Sequence, residues 1–324
     1  MPEFAIADVV GEAVPGTARG VVHSVFSRAC NIETVGGPLL TLLSSEQGNL
    51  PRGIRLARPA EPFAGRIIAG RSVLIANRVL QIPDVELTVD FSYAALFRGT
   101  VAARAQPLSE AQARTALAAL RATVIEHLPI QGIAPLLLGT PAFLSGLDQT
   151  IAARLAQALP RLTRATTERD FDGVIAVARE LVGLGPGLTP SGDDFLVGYL
   201  AALWSRRRED GMEALLEALP ARLASLLASG NAVSRQMLGD ASLGRFPEVL
   251  VEVAQALDGA GDVAASALRA LAIGDCSGAD LLCGLLFGYG PQWAGRSAPV
   301  PERTAGAHPP ADAATSGSAA ADPD

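Results

Sequence analysis

The feature that most constrains this chain is a ten-residue motif that occurs twice without gaps. Ser191-Gly192-Asp193-Asp194-Phe195-Leu196-Val197-Gly198-Tyr199-Leu200 aligns on Ser277-Gly278-Ala279-Asp280-Leu281-Leu282-Cys283-Gly284-Leu285-Leu286, sharing the pattern S-G-x-D-x-L-x-G-x-L. Both copies read as helix starts. Asp194 and Gly198, like Asp280 and Gly284, are four apart and therefore share a helix face. Glycine inside a helix costs up to about 1 kcal/mol, and close approach of two helix backbones is a natural reason to tolerate it. Helices that pack by these glycines would bring their N-termini together and set Asp194 near Asp280. The plainer reading is two look-alike capping boxes, with Ser191 as N-cap and Asp194 at N3. Adjacent helical residues diverge by about 100°. One of Asp193 and Asp194 should then face the site and the other the loop or solvent. Asp194, which has a counterpart in the repeat, is the one expected to face the site.

The first copy follows Gly183-Leu184-Gly185-Pro186-Gly187-Leu188-Thr189-Pro190. Glycine allows positive φ or close backbone approach to a ligand. The free N–H groups and positive dipole end of the following helix suit an anion. Gly185, Gly187, Thr189, Ser191 and Gly192, with Ser277 and Gly278 of the second copy, are thus candidate substrate or phosphate ligands. Asp194 and Asp280, with Asp193 beside them, are the candidate catalytic carboxylates. Such a pair could hold a divalent cation or accept hydrogen bonds from the N–H groups of a urea-like molecule. In a third segment, Asn231 reads as an N-cap with Arg235 one turn inside the helix. Its planar guanidinium suits a carboxylate or phosphate, although on the spacing alone a plain surface arginine is the default reading.

Composition narrows the chemistry. All 26 basic residues are arginine. The absence of lysine excludes a Walker-type phosphate loop and any Schiff-base lysine. The histidines are His23, in a strand-like run, His127, at a helix C-terminus, and His308, in an Ala/Pro-rich tail. They leave little material for a catalytic triad or a three-histidine zinc site. Cys30, Cys276 and Cys283 form no CxxC pair, which points to a reducing, cytoplasmic setting, and Cys276 and Cys283 read as small packing residues. The first residues lack the basic region of a signal peptide. The most apolar stretch, 130–147, is interrupted by Pro135, Pro141 and glycines, so no membrane span is expected. A net charge of -7 without an arginine stripe disfavours nucleic acid as a partner.

The hydrophobic period divides the chain into an α+β arrangement. Residues 1–105 read as a β-rich domain, a small barrel or sandwich. Val85, Leu87, Val89 and Phe91 alternate with polar residues, and Asn77-Arg78 sits between two short apolar runs as a hairpin turn. Residues 106–294 read as a helical domain. Its helices are expected at Ser109–His127, at Asp148–Leu159 ending before Pro160, at Glu168–Val182 capped by Thr167, and near 192–207, 212–227, 232–238, 247–257, 263–272 and 277–289. Residues 295–324 are too poor in large apolar side chains to fold and read as a disordered tail.

At these segments the sequence resembles a known family. The Gly185–Asp194 loop, the Ser234–Leu238 segment and Ile273-Gly274-Asp275-Cys276-Ser277-Gly278-Ala279-Asp280 recur in this order in the AllH-type subunit of oxamate carbamoyltransferase. The resemblance implies a complex that cleaves oxalurate with phosphate to oxamate and carbamoyl phosphate, in allantoin catabolism. It also implies two companion subunits, one similar to an acyl-CoA synthetase and one of a further family. The sequence departs from the family pattern at Asp275 and Cys276, where His and Ser are expected, which puts an acid–base role at position 275 in doubt. A small anionic substrate needs positioning and oxyanion donors rather than a covalent nucleophile. No cofactor is implied, with Mg as the one option the acidic pair leaves. The competing readings are a non-catalytic scaffold subunit and a Mg-dependent phosphoryl-transfer enzyme.

Overall fold

The computed structural model describes residues 3–59, 61–103, 109–138, 146–185, 189–209, 211–227 and 231–290, the side chains of 146–148 and 225 excepted. The expected domain boundary at 105/106 and the tail at 295–324 lie outside the described residues. The chain is α+β, with strands in residues 3–97 followed by helices in 110–289.

The strands are β1 (Glu3–Gly11), β2 (Ala18–Val25), β3 (Ala29–Thr34), β4 (Leu39–Leu43), β5 (Gly53–Leu56), β6 (Ser72–Ala76), β7 (Val79–Ile82), β8 (Leu87–Asp90) and β9 (Ala95–Phe97). They pair in the order β5-β4-β3-β2-β6-β7-β8-β1-β9, and β1 pairs back onto β5. That last pairing closes eight strands into a barrel, and β9 continues the line of β8 along β1. Closure removes the open sheet edge that would otherwise invite association. Inward-facing Val22, Ile32, Leu40, Ile54, Ile75 and Leu80 are all almost fully buried and fill the interior. The β6–β7 hairpin turns at Asn77 and Arg78, both with positive φ, as a two-residue turn between twisted strands requires. The expected strand at 85–91 is shorter than the alternation suggested. Pro83 opens a 3-10 turn over Pro83–Val85, Glu86 is left-handed, and the ladder starts only at Leu87. Within the loop that follows β5, Phe63 and Ile67 turn into the barrel core.

The helices are α1 (Glu110–Glu126), α2 (Ala134–Leu138), α3 (Gly146–Glu168), α4 (Phe171–Leu181), α5 (Ser191–Ser205), α6 (Met212–Leu227), α7 (Ala232–Ser242), α8 (Glu248–Leu257), α9 (Val263–Leu271) and α10 (Ser277–Tyr289). Ser109 and Gln112 form the capping box expected for α1. Three expectations need correction. Pro160 does not end α3, which runs on to Glu168 because Leu155, Ala158, Leu162 and Ala165 keep one buried stripe continuous. Thr167 caps nothing, since it lies in that last turn and donates to Thr163 O. The chain then reverses at Arg169, with φ +56, and Asp170 caps α4 by accepting from Gly173 N at 2.9 Å. Among the described residues, no helix is long and apolar enough to cross a membrane.

Helices α7 and α8 dock the helical half on the barrel. Arg52 Nε lies 3.1 Å from both oxygens of buried Asp240, and Arg52 Nη1 donates to Ala13 O. Gln236 donates to Asp240 and accepts from Leu39 N, while both carboxylate oxygens of Glu248 accept from Asn49. Gly99 sits where any side chain would strike the Phe246 backbone.

Candidate functional site

Helices α5 and α10 make the densest contact in the molecule. A Cβ on Gly198 would overlap the Leu281 carbonyl oxygen, and a Cβ on Gly284 would overlap the Phe195 carbonyl oxygen. Phe195 and Leu281 occupy the same place in the motif, so the contact is reciprocal about a local pseudo-two-fold axis. The preceding segments obey the same relation. Gly192 N donates to Leu184 O, and Gly278 N donates to Ile273 O. Leu184 and Ile273 are each followed by a glycine with positive φ, Gly185 and Gly274. Gly192 and Gly278 also press on carbonyls at the ends of the preceding helices, Leu181 O and Ala270 O. The unit α4–loop–α5 is thus repeated as α9–loop–α10, with a longer loop in the first copy.

This packing brings the two motif aspartates to one place. Asp194 and Asp280 both have no exposed surface. Asp280 Oδ1 accepts from Ile133 N and Ala134 N, each at 2.8 Å. Asp280 Oδ2 and both oxygens of Asp194 have no hydrogen-bond partner among the described residues. Burial drives the Asp194 carboxyl up to about 8, and the nearby charges of Asp280 and Asp193 add to the rise, while the Ser277 and Thr189 hydroxyls oppose it. Burial also drives Asp280 up to about 6, a smaller rise because the Ser191 hydroxyl, the two amides and Cys276 oppose it. A buried carboxylate without donors is costly unless it is protonated or meets a partner.

The rim is polar, with Thr189, Cys276 and Ser277 half-buried and Ser191 buried. Thr189 Oγ1 and Ser277 Oγ lie 3.0 Å apart, and Ser191 Oγ faces Cys276 Sγ at 3.9 Å. Burial and the Asp280 charge raise the Cys276 thiol to about 11, which keeps it protonated at neutral pH. Asp193 points away from the pair, toward the loop as expected: its Oδ1 accepts from Gly183 N at 2.9 Å. It is nevertheless buried, which raises its pKa, eased by the Ser234 hydroxyl and Gly183 N–H.

The structure therefore gathers Asp194, Asp280, Thr189, Ser191 and Ser277. The expected capping boxes are absent: Pro190 and Cys276 are the N-caps, without side-chain cap bonds, and Ser191 and Ser277 open their helices. Gly192 and Gly278 spend their N–H groups on backbone carbonyls, and Asp193 N donates to Pro190 O. Their evident work is close packing. Gly185 adopts φ +109 against Ser191, and Gly187 lies outside the described residues. Arg235 is exposed at the start of α7, where Asn231 caps by accepting from Ser234 N at 2.9 Å. Among the described residues, no three His, Cys, Asp or Glu side chains are grouped to hold a metal.

Sequence reasoning missed Gly132, Ile133 and Ala134, and gave Cys276 only a packing role. Gly132, with φ +101, lies so close to Asp280 that a Cβ would fall 2.7 Å from its Oδ2. A glycine just before Ile133-Ala134-Pro135 was the only available signal.

Fold and site together define a class: an α+β protein with a closed N-terminal barrel and a duplicated helical hairpin that buries two carboxylates where its helix starts converge. The family model for the oxamate carbamoyltransferase subunit AllH matches residues 181–289, and that for the AllH family N-terminal domain matches residues 6–96. The chain belongs to the AllH family. The first match runs from the last residue of α4 to the last residue of α10 and so takes in both loops and both motif helices. No solved structure matches the chain.

Proposed function

We propose that this protein is a subunit of an oxamate carbamoyltransferase-like complex and that its small anionic substrate binds at the buried carboxyl pair where the N-termini of α5 and α10 meet. The observation that carries the reading is that three buried carboxyl oxygens, one on Asp280 and two on Asp194, make no well-formed hydrogen bond among the described residues, with only the Ser191, Ser277, Thr189 and Cys276 side chains near them. Asp280 Oδ2 and the carbonyl oxygen of protonated Asp194 suit the N–H groups of a carbamoyl or ureido group. The amides on Asp280 Oδ1 hold that carboxylate still, which leaves Oδ2 to orient the substrate. The negative end of the substrate and the phosphate lie outward, toward Thr189, Ser277 and the Gly-rich loop, away from the acidic pair.

In the reaction, a phosphate oxygen attacks the carbamoyl carbon of oxalurate and the C–N bond to the oxamate nitrogen breaks. The proton on hydrogen phosphate ends on that nitrogen, so the products are oxamate and carbamoyl phosphate. A carboxyl with a pKa of about 8 is protonated at neutral pH and can relay this proton. The cytoplasm, with the two companion subunits, is the proposed setting, and a Mg ion between Asp194 and Asp280 is the variant reading of the same acceptors.

The test is turnover of the complex reconstituted with its companions. Asp194→Asn and Asp280→Asn should each lower carbamoyl phosphate formation by about a hundredfold or more, as loss of a positioning or proton-relaying group does. The scaffold reading draws on the glycine-to-carbonyl contacts of α5 and α10. It requires the same variants to retain turnover while shifting only the melting temperature, and that outcome would replace the catalytic reading.

A further inference from the structure

A cavity of about 290 Å³ lies at one end of the barrel, far in sequence from the carboxylate pair. Folded cores seldom leave voids larger than a water molecule, and this one has room for roughly ten. Its floor and walls are Leu56, Phe63, Ile67, Val85 and Leu87. Water there would find few partners. Its polar element is the ion pair of Glu3, at the start of β1, with Arg66 of the loop that turns into the barrel core. Glu61 adds a second carboxylate 3.8 Å from Arg66 Nε. Eight-stranded barrels are just wide enough to hold one small ligand.

The charges select the ligand. A simple carboxylate would meet Arg66 but also face Glu3. A simple amine would meet the acids but face Arg66. A zwitterion satisfies both, inserting its carboxylate at Arg66 and its ammonium at Glu3 and exchanging one ion pair for two without a change in net charge. The apolar walls then call for an uncharged hydrocarbon side chain. We propose that this end of the barrel binds an apolar α-amino acid of about the size of leucine. This site stands independently of the function assigned to the helical half.

Calorimetric titration of the full-length protein with L-leucine tests this, alongside 4-methylpentanoate, which lacks the ammonium, and 3-methylbutylamine, which lacks the carboxylate. L-Leucine should give saturable heat, and each single-charge analogue should bind at least about tenfold more weakly. Arg66→Met and Glu3→Gln should each weaken L-leucine by about tenfold or more, and Val85→Trp, which fills the half-buried rim, should abolish the heat while the far-UV spectrum stays unchanged. Absence of saturable heat at about 10 mM L-leucine, or 4-methylpentanoate binding as tightly as L-leucine, overturns the proposal. So does unchanged affinity in both charge variants. Should either charge variant fail to fold, the comparison of the three compounds on the native protein decides alone.

Discussion

The two motif aspartates hold the same position in two copies of one unit, yet their surroundings differ. Asp280 has one oxygen filled by the amides of Ile133 and Ala134, whereas Asp194 has only the nearby Ser277 and Thr189 hydroxyls and no backbone N–H. The consequence is a rise to about 6 for Asp280 against about 8 for Asp194. Duplication therefore supplies two equally placed carboxyls, and their neighbours make them unequal: the Ser191 hydroxyl, the amides of a third segment of chain and Cys276 ease Asp280, while the charges of Asp280 and Asp193 press Asp194 further up. At neutral pH that leaves one mainly ionised and one mainly protonated, the pairing of acid and base that two identical sites could not sustain.

The comparison breaks most visibly if the reciprocal contact is removed. Gly198→Val and Gly284→Val should each destabilise the fold by about 3 kcal/mol or more in urea unfolding, because each forces a side chain into a backbone carbonyl. Nearly equal losses confirm the pseudo-symmetry, and a loss confined to one site refutes it. The carboxyls should then separate. Asp280→Ala strands two buried amides and should cost about 2–4 kcal/mol, while Asp194→Ala should be close to neutral at pH 6 and stabilising at pH 8.5.

A pH series sharpens the same contrast. Both carboxyls titrate above their ordinary 3.8, so the folded state holds more protons than the unfolded state in the intervening window. Stability must fall as pH rises through it, up to about 6 on account of Asp280 and up to about 8 on account of Asp194. Asp194→Asn should flatten the decline between pH 6 and 8 in thermal melts, and Asp280→Asn should leave that upper part in place. The smallest effect is expected at the rim. Thr189→Val removes the 3.0 Å hydroxyl contact with Ser277 and should change stability by less than about 1 kcal/mol, while altering substrate affinity more than turnover.

The convergence of Asp194 and Asp280 was legible because backbone contact leaves a trace: only glycine fits at 198 and 284. The Asn77-Arg78 hairpin and the helix starts at Ser109 and Asn231 were legible for the same reason, since each needs a particular side chain. The amides on Asp280 were not, because any residue but proline supplies an N–H and nothing in the letters marks where it points. Glycines also misdirect. Gly192 and Gly278 look like anion ligands beside a helix start, yet a packing glycine and a phosphate-cradling glycine are the same residue, and only the fate of the N–H tells them apart. Pro160 and Thr167 were misread because tertiary burial overrode local preference.

The reciprocal pairing of α5 with α10 also has a consequence in time. Asp194 is synthesised well before Asp280, and the amides of Ile133 and Ala134 earlier still. While the chain grows, these groups wait without their partner, and four further helices must be laid down before α10 arrives. A pairing of such long sequence separation forms slowly. A ribosome-bound fragment ending between Phe97 and Ser277 thus has every strand of the barrel and lacks the second of the two carboxyls, so the pair is the last part of the molecule to be assembled.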